Sequence, residues 1–331
     1  MAQGATIFGC LGPQLTSAER GFFRDADPFG FILFDRNLET AEQIRALCRE
    51  LRDCVGRNAP ILIDQEGGRV QRLRAPLATE WLAPMDEVAR AGPNASRVMR
   101  LRYQIIAGEL LSLGIDANCA PMVDIATEAT HSFLKNRCYG SDLSQVTDAG
   151  LAVAQGLLAG GVLPVVKHIP GHGRAVLDSH LELPVVDAAA DELRASDFAA
   201  FTGFGTMPMG MTAHVTYSAI DDRPATLSPT MMCLIREEIG FGGLIMTDDI
   251  SMKALTGTLA ELSRLSIDAG CDVVLHCNGE MGEMEDVAAA AGRMSDAAQM
   301  RADTAIAARV TPDPVDKSEL LAQLEALTAR G

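Results

Sequence analysis

The chain has 331 residues, of which 48% are apolar and 22% charged, and its formal net charge at pH 7 is -16. This composition is ordinary for a folded globular protein of one or two domains. The acidic balance argues against a general nucleic-acid-binding protein, because contacts with phosphates need a basic surface. No run approaches the roughly 18 consecutive apolar residues of a membrane helix. We therefore expect neither nucleic-acid nor membrane partners.

The N-terminus and the cysteines set the expected compartment. The first twenty residues lack a basic start and a long apolar segment, so they do not read as a secretory signal. The eight cysteines are scattered along the chain, and no pair has CxxC spacing. Such cysteines are typical of reducing compartments, where disulfide frameworks are rare. We expect a cytoplasmic monomer with neither a metal nor an organic cofactor.

Short apolar runs alternate with longer helical patterns along the chain. The strand-like runs cover residues 5–10, 29–34, 59–66, 115–124, 163–168, 209–215, 242–249 and 271–277. The helical patterns that follow them include residues 40–55, 95–113, 143–159, 190–202 and 257–269, a helix starting near Ser228-Pro229, and an alanine-rich helix ending near Met300. The runs are continuously apolar, as expected for parallel strands that are buried on both faces. Eight successive βα units predict a single (β/α)8 barrel.

A doubly wound open sheet is the alternative fold for this pattern. It is less favoured because no GxGxxG follows the first run, and the acidic pair in DQEGGR would face any bound phosphate. No linker or change in composition precedes Thr311. We predict one catalytic domain over residues 1–331, with residues 311–331 forming a tail helix that packs on the barrel.

Polar residues stand at the ends of five predicted strands. They are Asp64, Gln65, Glu66, Asp124, Lys167, His168, His214, Asp248 and Asp249. A barrel builds its active site where strands end and βα loops begin, so we expect these groups to share one site. A helix cap or a rim salt bridge explains any single member equally well. It does not explain the same feature on five strands.

Two reaction types for this rim use its cations and imidazoles. Lys167 could form a Schiff base with a carbonyl substrate, as in lysine-dependent aldolases. Metal binding would use the histidines His168, His172, His180 and His214 with a carboxylate. Their spacing matches no tight metal-binding template, so the pattern supports a metal site only weakly.

A third reaction type uses a carboxylate nucleophile and a separate proton donor. Asp248, at the end of GGLIMTD, is the candidate nucleophile. Asp178 and His180 are the candidate donor pair, with the carboxylate orienting the imidazole and stabilising its charged form.

Five segments of the sequence together resemble glycoside hydrolase family 3. They are KHIPGHGRAVLDSH, LIDQEGGRVQRL, NRCYG, AHVTY and MTDDISM. The resemblance begins at IFGCLGPQLTSAE and continues to the last predicted strand. More narrowly, it points to the bacterial cytoplasmic β-N-acetylglucosaminidases of peptidoglycan recycling, which implies anhydro-muropeptides as the natural substrates.

The resemblance implies a (β/α)8 barrel and retaining hydrolysis through a covalent glycosyl-enzyme intermediate. Asp248 matches the nucleophile of the family. His180 matches its general acid/base, carried on a mobile loop, and Asp178 matches the partner of that histidine. An imidazole titrates near neutral pH without the upward pKa shift that a carboxylic acid would need for this role.

The resemblance also implies which residues hold the sugar and which support them. The substrate-binding positions are Asp64, Arg72, Arg137, Lys167, His168 and His214. The expected supports are Glu66, Asp124 and Asp249. The departures from the family pattern, Cys138-Tyr139 in NRCYG and threonine in MTDD, remove none of these groups.

Several alternatives stay open from the sequence. A β-glucosidase or a glycoside phosphorylase could use the same scaffold, and a sugar-binding protein without activity is the competing class. For His172 we expect a hydrogen bond that stabilises the loop, and His276 is expected to be a core histidine.

Overall fold

The computed structural model describes residues 2–177, 182–313 and 316–328. Within these residues eight parallel strands close into one barrel, in which each strand pairs with the next and the eighth pairs with the first. The barrel strands are β1 (Gly4–Gly9), β2 (Pro28–Leu33), β3 (Ile61–Ile63), β4 (Ala117–Asn118), β5 (Leu163–Ile169), β6 (Met209–Thr212), β7 (Leu244–Asp249) and β8 (Val273–His276).

Helices surround the barrel. The α-helices are α1 (Ser17–Ala26), α2 (Ala41–Val55), α3 (Pro84–Ala91), α4 (Ala95–Ser112), α5 (Ser132–Lys135), α6 (Leu143–Ala159), α7 (Ala190–Ala195), α8 (Pro229–Cys233), α9 (Leu259–Ala269), α10 (Met281–Ala291), α11 (Asp296–Ala307) and α12 (Lys317–Thr328). The predicted (β/α)8 barrel with an extra C-terminal helix is confirmed.

Burial on both faces explains why the sequences of the strands are continuously apolar. All residues of β1, β2 and β5 are buried, between the barrel interior on one side and the surrounding helices on the other. A strand in this position needs apolar residues at successive positions, which explains the absence of alternation in the sequence.

Helix boundaries follow from local capping signals. Thr16 accepts a hydrogen bond from the N–H of Glu19, whose side chain bonds back to the N–H of Thr16 and starts α1 with a capping box. The Asp142 side chain caps α6 by accepting a hydrogen bond from the N–H of Gln145. Gly56 ends α2 in the left-handed region, which glycine adopts at low cost.

The C-terminal helix α12 packs against the outside of the barrel. It contacts α4 and α3, and its Leu320 and Leu324 are buried. Lys317 also pairs with the nearly buried carboxylate of Glu109 at 2.6 Å.

Four predicted elements differ in detail from the structure. The run 59–66 contains β3, and its last residues join Gln65–Gly67, which pairs antiparallel with Val70–Gln71 at the rim. The run 115–124 contains only the short strand β4, since Pro121 offers no N–H for a regular ladder.

The other two differences concern helices. The pattern 190–202 is α7 followed by a 3-10 helix over Ala199–Phe204. The single alanine-rich helix predicted to end near Met300 is two helices, α10 and α11. They are separated at Gly292, which has a φ of 66°.

No helix in the described part of the chain is long and apolar enough to cross a membrane.

Candidate active site

A cavity of about 370 Å³ opens at the carboxyl ends of the barrel strands. Its charged and polar wall contains Asp64, Arg69, Arg72, Arg137, Lys167, His168, Asp248 and Asp249. Its apolar wall includes Ile32, Phe34, Phe133, Met211, Met252 and Cys277. The structure therefore brings together seven of the residues selected from the sequence, from three strand ends and two loops: Asp64, Arg72, Arg137, Lys167, His168, Asp248 and Asp249. Asp178 and His180 lie outside the described residues.

An ion network joins the third and fifth strand ends. The Lys167 ammonium lies 2.9 Å from Asp64 and 2.7 Å from Glu66. Arg137 donates two hydrogen bonds to Glu66, at 2.9 and 2.8 Å. Glu66 is almost fully buried behind these cations, so it holds them in place while their remaining N–H groups face the cavity.

The network keeps all its members charged. Burial alone would raise the pKa of Glu66, but Arg137 and Lys167 outweigh it and lower that pKa to about 2. The same balance holds the pKa of Asp64 well below its usual range, with Lys167 the strongest opposing charge. Burial opposes the charge on Lys167, and the two carboxylates raise its pKa above the usual value. A Schiff-base lysine must be neutral, so this geometry disfavours the aldolase alternative.

Arg72 closes the network on the side of β2. Its guanidinium lies 3.3 Å from the Asp64 carboxylate and 5.3 Å from the ring centre of Phe34. Arg36 lies over the same ring at 5.1 Å. An ionised carboxylate and fixed cationic donors on one wall suit a ligand that presents several hydroxyl groups in known directions.

Asp124 organises the segment after β5. One of its oxygens lies 2.8 Å from His168 Nδ1, and the other accepts the His172 N–H at 2.6 Å. The carboxylate fixes the His168 proton on Nδ1, so that Nε2 of the neutral ring remains as an acceptor toward the cavity.

His172 differs from the expectation. Its backbone N–H bonds to Asp124, but neither ring nitrogen has a hydrogen-bond partner among the described residues. The loop is instead held through its backbone, because the Thr130 hydroxyl bonds to the Gly173 carbonyl and the Tyr217 hydroxyl to the Gly171 carbonyl. A Cβ at Gly173 would lie 1.8 Å from the Ile125 carbonyl oxygen, so this close approach requires glycine. Burial lowers the pKa of His172 to about 3, with His168 adding to the shift.

The candidate nucleophile lies at the end of β7, in a segment that several hydrogen bonds fix. Asp248 accepts the Asp249 N–H at 2.8 Å. The Asp249 carboxylate accepts from the Ser251 hydroxyl at 2.9 Å and from the Cys277 N–H at 3.3 Å. Burial would raise the pKa of Asp248, but the imidazoles of His168 and His214 and the Asp249 N–H lower it. An ionised, positioned carboxylate is what a glycosyl acceptor requires.

His214 is brought to the same region but does not line the cavity. Its Nδ1 lies 2.8 Å from the Thr226 hydroxyl and its Nε2 lies 3.0 Å from the Asp249 carbonyl oxygen. Both ring nitrogens therefore have protein partners, which favours a role behind the charged wall of the cavity. Its assignment as a substrate-binding residue remains an untested prediction.

Comparison with known proteins decides the family. Residues 17–311 match the glycosyl hydrolase family 3 N-terminal domain. The chain belongs to this family. It is thereby a glycoside hydrolase.

Curated relatives and solved structures agree with this family assignment. The β-hexosaminidase of Methylococcus capsulatus is 33% identical over 333 residues, covering 96% of this chain and 95% of the relative. That of Alkalilimnicola ehrlichii is 36% identical over 288 residues, covering 84% and 82%. The crystal structure of native NagZ from Neisseria gonorrhoeae superposes with a TM-score of 0.85 at 28% identity and covers 99% and 97% of the two chains. A second structure of that NagZ holds N-trifluoroacetyl-D-glucosamine.

Sequence reasoning missed much of the apolar wall. Phe34 and Cys277 stand at the ends of β2 and β8, where the rule that found the polar residues would have found them too. Phe133 lies on the short helix α5 and Met252 on a loop, and no local pattern indicates the path of either segment. In the described ranges, no group of three histidine, cysteine or acidic side chains is arranged to hold a metal ion.

Proposed function

We propose that this family 3 hydrolase is a retaining β-N-acetylglucosaminidase that removes terminal, non-reducing N-acetylglucosamine from anhydro-muropeptides in cytoplasmic peptidoglycan recycling. The observation that carries the proposal is the cavity in which ionised Asp248 faces the fixed set Asp64, Arg72, Arg137 and Lys167. The curated relatives named β-hexosaminidase support the substrate class.

The reaction would proceed in two displacements. An Asp248 oxygen attacks the anomeric carbon and forms a glycosyl-aspartate ester while the glycosidic C–O bond breaks. The leaving oxygen takes a proton from His180, oriented by Asp178. His180 then accepts a proton from water as that water breaks the ester and restores Asp248. Each displacement inverts the anomeric carbon, so the two together retain its configuration.

The charged wall would serve mainly to hold the sugar. Asp64 accepts hydrogen bonds from ring hydroxyls, and Arg72, Arg137 and Lys167 donate to hydroxyl oxygens. These groups are already fixed by ion pairs with one another and with Glu66, so little reorganisation is needed when the sugar binds.

The decisive experiment is chromogen release from an aryl β-N-acetylglucosaminide beside the matching β-glucoside, with and without EDTA. We expect turnover of the N-acetyl substrate alone, unaffected by EDTA. Turnover of the glucoside alone would keep the mechanism and reject the substrate. Sugar 1-phosphate formed in phosphate buffer would show a phosphorylase, and no turnover of either substrate would contradict the proposal.

The covalent step can be tested separately. A 5-fluoro-N-acetylglucosaminyl fluoride should trap the ester, and peptide mass spectrometry should find the added sugar on the peptide that contains Asp248. Labelling of another carboxylate would contradict the assignment. Release of N-acetylglucosamine from a purified anhydro-disaccharide peptide then tests the natural substrate.

A further inference from the structure

Three buried side chains behind the candidate nucleophile form a hydrogen-bonded chain. Thr212 and Thr226 have hydroxyl oxygens 2.9 Å apart, and Thr226 lies 2.8 Å from His214 Nδ1. His214 Nε2 in turn lies 3.0 Å from the carbonyl oxygen of Asp249. Thr212 and Thr226 are 0% exposed and His214 is 1% exposed, so water does not compete for these bonds.

The direction of the protons along this chain follows from the last contact. A carbonyl oxygen only accepts, so Nε2 must carry the proton that bonds to Asp249. Burial lowers the pKa of His214, which favours the neutral ring. In a neutral ring with a proton on Nε2, Nδ1 is bare and must accept, and its neighbour in the structure is the Thr226 hydroxyl.

Thr226 has one proton and two acceptors within reach. His214 Nδ1 lies at 2.8 Å and the Ala213 carbonyl at 3.1 Å. Nδ1 is the nearer acceptor, so the Thr226 proton is assigned to it, and the Thr212 hydroxyl can donate to the Thr226 oxygen. Without a donor at Nδ1, the ring could take the other tautomer, whose bare Nε2 would repel the Asp249 carbonyl.

We propose that Thr226, supported by Thr212, is a positioning residue for glycoside hydrolysis: its hydroxyl fixes the tautomer of His214, which holds the Asp249 carbonyl and so sets the orientation of Asp248. The inference rests on the proposed role of Asp248 as nucleophile. The backbone N–H of the same residue, Asp249, bonds to the Asp248 carboxylate, so a shift of the Asp249 backbone moves the attacking oxygen. Small displacements of a reacting group lower the rate without abolishing binding.

The first test compares variants at Thr226. Thr226→Val removes the donor and keeps the shape, and we expect about a tenfold loss of kcat on the aryl β-N-acetylglucosaminide with KM changed less than about twofold. Thr226→Ser restores the hydroxyl and should recover most of the activity. Equal losses in both variants would mean that packing matters and the hydroxyl does not, which overturns the proposal.

The matched control is Thr216→Val. Thr216 is 5% exposed, and its hydroxyl has no hydrogen-bond partner among the described residues. The same substitution there should leave kcat unchanged. A tenfold loss at Thr216 as well would show that any buried threonine in this segment is sensitive. Melting temperatures of all variants separate loss of activity from loss of folded protein.

A readout independent of activity is the ¹⁵N spectrum of the imidazoles. In the wild-type protein His214 Nε2 should carry the proton and Nδ1 should not, and Thr226→Val should populate the other tautomer or broaden both signals. An unchanged His214 tautomer together with full kcat in Thr226→Val would overturn the inference. Failure of wild-type turnover, by contrast, would count against the proposed function. The ¹⁵N spectrum would still test the hydrogen-bonded chain of Thr212, Thr226 and His214.

Discussion

The two ends of the barrel use the same arrangement for different purposes. At the carboxyl end Glu66 is buried between Arg137 and Lys167, whose other donors face the cavity. At the amino end Asp272 is buried between Arg236 and Arg301 and also accepts the N–H of Ile245, at the start of the neighbouring strand. A buried carboxylate with two cations is thus a clamp between elements at one end and a support for a ligand-binding wall at the other.

A second pair of carboxylates shows how the alignment of hydrogen bonds affects the pKa of a buried group. Glu66 receives two aligned hydrogen bonds from Arg137, and its pKa is held at about 2. Asp116, also at the amino end, lies 2.9 and 3.0 Å from Arg52 and Arg309. Burial nevertheless raises the pKa of Asp116. Neither arginine makes an aligned side-chain hydrogen bond to Asp116 in the described chain, so proximity of charge alone does not offset desolvation there.

The largest effect is expected from a substitution at the carboxyl end of the barrel. Asp248→Ala should lower kcat by about 10³-fold or more with little change in melting temperature, because no glycosyl ester can form. Steady-state kinetics on the aryl β-N-acetylglucosaminide and a thermal melt measure both. Retention of substantial turnover would show that another group is the nucleophile.

The complementary substitution removes the buried carboxylate at the amino end of the barrel. Asp272→Ala leaves Arg236, Arg301 and the Ile245 N–H without their shared acceptor, and should lower the free energy of unfolding by about 4 kcal/mol. The kcat of the remaining folded enzyme should be unchanged. Asp116→Ala is the sharper comparison, since its less aligned arginines predict a smaller loss by urea denaturation. A large fall in kcat for either variant would contradict the division between the two ends.

The pH dependence of stability tests the charge state of Glu66. Its pKa is lowered from 4.5 to about 2 in the folded protein, so its ionised form stabilises the fold above the unfolded pKa, and this stabilisation is lost as the pH falls toward 2. The free-energy difference between wild type and Glu66→Gln should be about 3 kcal/mol at pH 7 and about 1 kcal/mol at pH 3. Urea denaturation at a series of pH values measures it, and a difference independent of pH would reject the assignment.

The sequence reveals the barrel and the strand-end residues because both follow from local rules. Continuous apolar runs mark buried parallel strands, and a polar residue at the end of such a run is visible without knowing the fold. The sequence does not reveal which cation pairs with which carboxylate, because Lys167 and Glu66 are about a hundred residues apart and their contact depends on the closure of the barrel.

The same limit applies to His214 and to the missed elements. An imidazole after a strand predicts a site residue, but only the packing of Thr226 and Asp249 around it shows that both nitrogens are occupied. Helix α3 and the antiparallel pair at the rim lie in segments whose local patterns are short. The single-domain assignment and the roles of Asp178 and His180 remain predictions.

The smallest expected effect concerns the orientation of one imidazole at the carboxyl end. Asp124→Asn keeps an oxygen for the His172 N–H, but its amide nitrogen would face His168 Nδ1 and favour the proton on Nε2. A ring that accepted from a sugar hydroxyl would then donate, and we expect kcat/KM to fall about tenfold, or about 1.4 kcal/mol. A matched change is His168→Gln, which keeps a polar group at the cavity without the tautomer choice. If Asp124→Asn lost activity while His168→Gln did not, Asp124 would act through the loop backbone at His172 and the orientation of His168 would be irrelevant.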